Sequence, residues 1–213
     1  MGLGGVSDAD PRFRNTPYPT EPDFTEWGAA ESRRLASPVT PGECNPWPPV
    51  MFMGASGLFP IQILQGPNVI VMHHEAITQP RRIYTDGRRH PSLDDMIPSF
   101  LGHAIGRWEG DTLVVDTVGT NGRARPLNGY VSGAVTSGVD TAPRLPASDQ
   151  LHVSERIRLV GGGQYLEDVI TVEDIKTYRK PWTVKRYWQR RPDIDVQEYA
   201  CEDNRRRDAE GQL

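Results

Sequence analysis

Residues 102–119, GHAIGRWEGDTLVVDTVG, are typical of two β-strands joined by a tight turn around Gly110. A two-residue turn at either of the two positions that include this glycine leaves the same side chains on each face. One face then consists of Ala104, Gly106, Trp108, Leu113, Val115 and Thr117. The other face consists of His103, Ile105, Arg107, Val114, Asp116 and Val118. This second face mixes apolar and ionisable groups, so it suits the wall of a cavity or, alternatively, an outer face covered by the N-terminal segment.

Short runs of the same kind fill the chain from residue 61 onward. Turn residues separate them at the spacing of an antiparallel meander, and no long helical pattern alternates with them. The runs are IQILQ, VIVMHHE, RRIYT, HAIGRW, TLVVDTV, LHVSERIRLV, YLEDVITVED, WTVKRYWQ and IDVQEYAC. The sequence therefore predicts an all-β fold over residues 61–204, an up-and-down antiparallel barrel of about nine strands that is lipocalin-like.

The segments outside these runs have distinct compositions. Ten of the nineteen prolines lie in residues 1–60, which predicts an extended N-terminal arm that wraps the barrel. Within this arm, Thr25 is placed to cap one short helix through EWGAAESRRL. Residues 120–148 are rich in Gly, Ala, Ser and Thr and favour a lid over the barrel mouth, with a disordered insertion as the alternative. Residues 205–213 are predicted to be a polar tail.

Composition limits the partners. The formal net charge is −4 and the basic runs are short, which argues against nucleic acid because phosphate binding needs a clustered positive field. No stretch approaches the roughly 18 consecutive apolar residues of a membrane span, so no membrane partner is expected. Cys44 and Cys201 leave two alternatives, a disulfide in a periplasmic or exported protein and two unrelated thiols in a cytoplasmic one. A homodimer is also left open.

Two carboxylates occur on apolar faces of the predicted hairpin 151–173. Glu155 alternates with leucine, valine and isoleucine along the first strand, and Asp168 lies on the matching face of the second. Burial of a carboxylate is costly without a partner and raises its pKa toward values useful in acid–base chemistry. Three readings stay open: a catalytic or ligand-orienting Glu155, an ion pair with Arg186, and a different register that exposes both carboxylates.

The run from His73 to Glu75 invites a metal site, but the spacing disfavours one. Adjacent strand residues point to opposite faces, so His73 and His74 cannot bind one ion from a regular strand. His73 and Glu75 lack a third ligand. No metal site is therefore predicted.

The next strand presents two adjacent arginines, Arg81 and Arg82. One of the two guanidinium groups points inward, where it can bind a carboxylate or a phenolate. Tyr84 lies on the same side of the strand as Arg82. The turn that follows is interpreted as part of the rim, through Asp86, Arg88, Arg89 and His90.

Several stretches resemble a widespread family of bacterial proteins, most of them without an assigned function. They are RRIYTDGRRHP, GHAIGRWEGDTLVVDTVGTN, SDQLHVSERIR, ITVEDIKTYRKPWTV and EYACEDN, and they cover most of residues 81–204. The resemblance implies a lipocalin-like barrel that is exported in many members. In a few relatives it implies cofactor-independent decarboxylation, or loss of formaldehyde, on lignin-derived dimeric aromatics.

The resemblance also marks positions inside the family motifs without assigning roles to them. These positions are Glu75, Arg82, Tyr84, His103, Arg107, Trp108, Asp116, His152 and Glu155. The chain departs from the family at Thr120, where an aromatic residue is usual, and at Ala147, where histidine is frequent. The loop 122–148 also diverges. Because that loop would border the pocket, the substrate is expected to differ from those of relatives.

The leading hypothesis is a cofactor-independent lyase that acts on an aromatic small molecule inside the barrel, by decarboxylation or formaldehyde elimination. His103, Glu155 and Tyr84 are the predicted catalytic residues, because histidine titrates near neutrality and a buried glutamate can act as its partner acid. The predicted substrate-binding residues are Arg82, Arg107, Asp116, Glu75, His73, His152, Trp108 and Trp188. The alternatives are a non-catalytic carrier of a hydrophobic ligand and an exported structural or interaction domain.

Overall fold

The computed structural model describes residues 2–5, 11–35, 45–53, 59–77, 79–92, 94–124 and 144–200. Regular structure in these ranges is mostly β, with two helices, α1 (Glu26–Leu35) and α2 (Pro49–Phe52), and a 3-10 turn at Gly161–Gly163. The strands are β1 (Gly2–Gly5), β2 (Ile61–Gln65), β3 (Val69–His74), β4 (Arg81–Tyr84), β5 (His103–Glu109), β6 (Thr112–Val118), β7 (His152–Val160), β8 (Tyr165–Glu173) and β9 (Trp182–Arg190). Neither helix in the described ranges has the length and apolar character to pass through a membrane.

The strands pair in chain order and curl into a barrel. From β2 to β9 each strand pairs with the next in one continuous curled sheet. The short β1 pairs with both ends of that sheet, because Leu3 lies opposite Ile61 of β2 and opposite Arg190 of β9. The described strands thereby form a closed ring. The prediction of an all-β, barrel-like fold is confirmed.

Two details of the strand prediction are wrong. Residues 194–200, within the predicted last strand IDVQEYAC, have no regular structure, and β1 from the predicted arm pairs with β9 instead. The meander is also not antiparallel throughout, since β4 and β5 are parallel with Ile83 opposite Ala104. Alternation of side chains carries no information about strand direction. Parallel neighbours require a crossover connection, and residues 85–102 provide it.

Parts of the N-terminal segment lie against the barrel. The predicted short helix is confirmed as α1, and Thr25 Oγ1 accepts a hydrogen bond from Gly28 N at 3.0 Å at its start. Thr16 follows β1 along the edge of β9, where its N donates to Lys185 O at 3.0 Å. Most of the predicted loop 120–148, the tail 205–213 and both cysteines lie outside the described residues.

An apolar core occupies much of the barrel interior, and one histidine lies within it. His74 is fully buried, and four aromatic rings surround it at centroid distances of 5.3 to 6.2 Å. These rings belong to Trp47, Phe52, Phe59 and Trp188. Burial, with a smaller effect of His73, lowers the pKa of His74 to about 3. The ring is therefore neutral, and its Nδ1 accepts a hydrogen bond from Ala76 N at 3.2 Å.

Candidate functional site

The crossover 85–102 covers the outer face of the barrel next to β5 and β6. Ser99 N donates to Gly119 O at 3.1 Å, and Asn121 N donates to Ser99 O at 2.8 Å. Gly119 has a φ of +74°, and a Cβ at this position would lie 2.0 Å from Met96 Sδ. The left-handed φ favours glycine at this position, and a Cβ here would displace the Met96 side chain. The crossover, and not the N-terminal arm, therefore covers the mixed face of the 102–119 hairpin, which is the outer face.

Five ionisable side chains meet under and beside this crossover. We call them the outer histidine cluster, which consists of His90, His103, Asp116, His152 and Glu173. His90 Nδ1 lies 2.8 Å from His103 Nδ1, and His90 Nε2 lies 3.7 Å from Asp116 Oδ2. His152 bridges two carboxylates, with Nε2 2.5 Å from Asp116 Oδ1 and Nδ1 2.9 Å from Glu173 Oε2.

Strand register explains why the cluster forms. His103 lies opposite Val118 across β5 and β6, and His152 lies opposite Glu173 across β7 and β8. Asp116 lies two residues before Val118 on the same face of β6, opposite Ser154. These positions all have outward-facing side chains, because their neighbours in each strand are the buried ones. Only His90 comes from outside the sheet, on the crossover.

An aromatic stack borders the cluster on the β4 side. The Tyr84 ring stacks on His103 with centroids 5.3 Å apart, and the Arg88 guanidinium lies 3.8 Å from the centroid of Tyr84. Arg88 is itself paired with Asp86 at 2.6 Å. Burial, then the neighbouring His90 and Arg88, lower the pKa of His103. His103 is therefore a neutral imidazole near pH 7, able to accept a proton.

A groove of about 450 Å³ opens on the other side of the cluster. Both His152 and Glu173 line it, and the two side chains are 35% and 47% exposed. The rest of its wall combines acidic, cationic, polar and apolar groups, from Gln150, Asp174, Ile175, Tyr178, Arg179, Lys180 and Pro181. A small molecule in this groove would contact His152 directly. The groove has the volume of a small-molecule site, but it is open to solvent and most of its lining residues are polar or charged.

A second group of charges lies inside the barrel. Arg81 and Glu155 are buried and form a two-point ion pair, Nη1 to Oε1 at 2.7 Å and Nη2 to Oε2. Arg81 Nη2 also donates to Thr117 Oγ1 at 2.9 Å. Arg81 is therefore the inward guanidinium of the Arg81 and Arg82 pair. Because neither ion reaches solvent, the geometry is that of a structural pair rather than a substrate site.

Asp168 lies beside this pair and has no direct donor. Both of its carboxylate oxygens are buried without a hydrogen-bond partner among the described residues. Burial, followed by the negative charge of Glu155, raises the pKa of Asp168 well above its usual value. Arg186 lies opposite Asp168 in the sheet but donates to the Thr16 and Lys185 carbonyl oxygens. The alternative that Arg186 pairs with the two carboxylates is therefore wrong.

The structure separates the predicted catalytic residues into two groups. Tyr84 and His103 lie outside the barrel wall, together with the predicted binding residues Asp116 and His152. Glu155 lies inside, and so does Trp188, whose Nε1 donates to Met53 O at 2.9 Å. The expectation that His103 and Glu155 act on one substrate inside the barrel is therefore wrong, because the sheet lies between them.

The remaining predicted residues lie apart from the cluster. Arg82 is exposed on the outer face of β4, and Arg107 pairs with Glu109 at 2.5 Å near the far end of β5. Trp108, beside it, is half exposed. Glu75 Oε2 accepts a hydrogen bond from Gln197 N at 2.7 Å, and His73 lies on the outer face of β3.

Sequence reasoning missed His90 and Glu173 as members of the site. His90 was interpreted as a rim residue, because the parallel crossover that carries it over β5 was not anticipated. Glu173 had a usable signal: a hairpin through the glycines at 161 to 163 places it opposite His152. That pairing alone predicts an ion pair at the end of the hairpin.

Models of known protein families do not match the chain, and a search of curated proteins finds no match either. The resemblance to a bacterial family of lipocalin-like proteins stays a prediction based on the motifs quoted above. Function therefore has to be inferred from the geometry of the outer histidine cluster and of the groove beside it.

Proposed function

We propose that the protein is a cofactor-independent carbon–carbon lyase that uses the outer histidine cluster as an acid–base site for an aromatic small molecule. The observation that carries the proposal is His152, which lines the groove and lies within hydrogen-bond distance of Asp116 and Glu173. Each ring nitrogen of His152 faces a carboxylate oxygen, which holds the ring in place, and an imidazole N–H at this position can be transferred to a bound substrate. A positioned proton donor at a ligand groove is the minimum that such a lyase requires.

Decarboxylation and formaldehyde loss need the same final step from the protein. In decarboxylation the bond between the substrate carbon and its carboxylate breaks, carbon dioxide leaves, and the electron pair stays on the substrate carbon. In formaldehyde loss a base takes the hydroxyl proton of a CH2OH group. The bond between the CH2OH carbon and the neighbouring substrate carbon then breaks, formaldehyde leaves, and the electron pair stays on the substrate carbon. In both reactions the substrate carbon that keeps the electron pair takes up a proton. We assign His152 as the donor of this proton, and solvent water then reprotonates the ring.

Other groups at the site support this assignment. Asp116 and Glu173 fix the orientation of the His152 ring, which lowers the cost of reaching the transition state. Arg179 and Lys180 on the groove wall, which also carries Glu173 and Asp174, can bind an anionic group of the substrate. Ile175 is 79% exposed and offers an apolar surface for a ring. Glu173 also lines the groove and is the carboxylate placed to accept the hydroxyl proton in the second reaction.

The test is turnover of a defined panel of compounds in D2O. The panel contains aromatic carboxylic acids and two-ring aromatic alcohols with a CH2OH group, and products are identified by mass spectrometry. We expect at least one compound to lose carbon dioxide or formaldehyde and to gain one deuterium on carbon. Saturable binding of panel members without any product would contradict the lyase and support the non-catalytic carrier.

A further inference from the structure

A hydrogen bond between two histidines joins the crossover 85–102 to the barrel wall. Nδ1 of His90, on the crossover, lies 2.8 Å from Nδ1 of His103, on β5. One of these nitrogens has to donate a proton and the other has to accept it, because two N–H groups at this distance repel each other. The contact therefore requires that one of the two Nδ1 atoms carries no proton.

This pair of rings can hold one extra proton but not two. An imidazolium carries an N–H on both nitrogens, so a single charged ring still donates through Nδ1 to its neutral partner. When both rings are charged, two cations and two Nδ1–H groups face each other, and the hydrogen bond between His90 and His103 is lost.

The acidic group that faces the pair from β6 compensates only the first extra proton. Asp116 Oδ2 lies 3.7 Å from His90 Nε2, so an ion pair is available to a charged His90 ring. The other oxygen of the same carboxylate already contacts His152 Nε2, from β7, at 2.5 Å. His152 in turn contacts Glu173 of β8 at 2.9 Å. One carboxylate is thus shared by two histidines.

The groups on the β4 side disfavour the second proton, which would go to His103. The Tyr84 ring stacks on His103 with centroids 5.3 Å apart, and the Arg88 guanidinium lies 3.8 Å from the centroid of Tyr84. The charge of Asp86 is compensated by Arg88 at 2.6 Å. Burial, then the charges of His90 and Arg88, lower the pKa of His103.

Backbone contacts of the crossover lie close to the pair. Ser99 N donates to Gly119 O at 3.1 Å, and Asn121 N donates to Ser99 O at 2.8 Å. The hydrogen-bonding groups in both contacts are backbone amides, which do not titrate. They therefore report whether the crossover is attached without themselves responding to mild acid.

We propose that His90 and His103 form an acid-released latch, in which protonation of both rings detaches the crossover from β5 and β6 and uncovers Asp116. The detached form binds both protons, because a solvated histidine has a pKa of about 6.5, whereas the attached form does not bind the second one. Attachment is therefore complete above about pH 6.5, and the detached form gains by up to about tenfold per pH unit below that value.

Release of the latch also affects the reaction proposed above. Asp116 holds the His152 ring, and removal of His90 opens the Asp116 side of the outer histidine cluster to solvent and substrate. Mild acid is therefore expected to widen access to the proton donor. This regulatory consequence rests on the proposed function, whereas release of the crossover does not.

The test is amide hydrogen exchange of the whole chain by NMR at pH 7 and pH 5, without substrate. Each rate is divided into the intrinsic rate at the same pH, which gives a protection factor. We expect the protection factors of the Ser99 and Asn121 amides to fall by about tenfold or more between pH 7 and pH 5. His103→Gln should abolish this fall, because glutamine can hydrogen-bond to His90 but does not take up a proton.

A second histidine and a distant amide serve as controls. His74→Phe removes the other histidine whose pKa is lowered in the folded protein, and it leaves the latch intact. This variant should show the same fall at Ser99 and Asn121 as the wild type. The Thr25 amide, which donates to Thr177 O at 3.0 Å away from the crossover, should change less than either.

Three results would overturn the proposal. They are equal protection of Ser99 and Asn121 at the two pH values, a fall in His103→Gln as large as in the wild type, and loss of the fall in His74→Phe. Each variant is judged by the ratio of its own two protection factors, so a general change in stability does not imitate the result. A protein that releases the crossover but turns over no panel compound would contradict the lyase and leave the latch standing.

Discussion

Arg81 of β4 and Glu155 of β7 form a two-point ion pair across the inside of the barrel, with 1% and 0% of their side chains exposed. Removing one partner leaves the other ion buried without compensation, which typically costs about 3 to 5 kcal/mol. We therefore expect Glu155→Gln to lower the free energy of unfolding by about this amount in urea denaturation. This pair is thus expected to stabilise the fold.

The exposed pair of Arg107 and Glu109 is the control for this prediction. Glu109→Gln should leave the urea midpoint almost unchanged, because water and salt screen an exposed ion pair. Equal shifts of the urea midpoint in Glu109→Gln and Glu155→Gln would contradict the prediction that burial makes the ion pair of Arg81 and Glu155 important for stability.

Asp168 should respond to substitution in the opposite direction from Glu155. Its pKa in the folded protein is raised by burial and by Glu155, from a usual value of 3.8. The folded protein therefore keeps a proton that the unfolded chain releases above about pH 4, so stability falls as the pH rises toward the folded pKa. Asp168→Asn removes this pH-dependent loss of stability, because asparagine does not titrate. We expect it to raise the urea midpoint at pH 7, with a smaller gain near pH 4.

Asp174 provides a matched buried aspartate for comparison. Its oxygens accept hydrogen bonds from Ser148 N, Ser148 Oγ and Thr177 N at 2.7 to 3.1 Å. Asp174→Asn should destabilise the protein, because an amide provides only one acceptor oxygen. A destabilising Asp168→Asn of similar size would contradict the assignment of Asp168 as a protonated acid.

His74 should make the protein sensitive to mild acid. Its pKa in the folded protein is about 3, below the usual 6.5. Below pH 6.5 the unfolded chain therefore binds a proton at His74 that the folded protein does not bind. With respect to His74, the free energy of unfolding therefore has its full value above pH 6.5 and declines as the pH falls toward 3. We expect a loss of up to about 1.4 kcal/mol per pH unit across this window, measured by urea denaturation. His74→Phe should flatten this dependence, and an unchanged slope in that variant would exclude His74 as its source.

Gly119 should be more sensitive to substitution than another glycine with similar backbone geometry. Gly119 and Gly110 have φ values of +74° and +60°, but a Cβ on Gly110 meets nothing within 4 Å. Alanine at either position costs about 1 to 2 kcal/mol from the left-handed backbone. Gly119→Ala should cost slightly more, because the Met96 side chain must also move aside. Equal losses of unfolding free energy in the two variants would show that the crossover contact is weak.

The alternation of side chains along the strands predicts much of the fold, but it does not show which residues come together at the site. Alternation along residues 102–119 placed Ala104 and Val115 on one face and His103 and Asp116 on the other. It could not show which face is the inner one, since both contain apolar residues. His90 reaches the cluster through a parallel crossover, and contacts of this kind between distant segments leave no local pattern in the sequence. Burial of Glu155 is one of the readings that the sequence leaves open, and its partner Arg81, 74 residues away in the chain, leaves no local signal.

The most direct test of the proposed catalytic site is the turnover rate of His152→Gln on the best compound of the panel, with Arg156→Gln on the same strand face as control. Loss of a general acid typically costs about 100-fold to 10,000-fold in rate. We predict a loss in this range for His152→Gln and a wild-type rate for Arg156→Gln, in variants with unchanged circular dichroism. A wild-type rate in His152→Gln would contradict the assignment of the outer histidine cluster as the site of proton transfer.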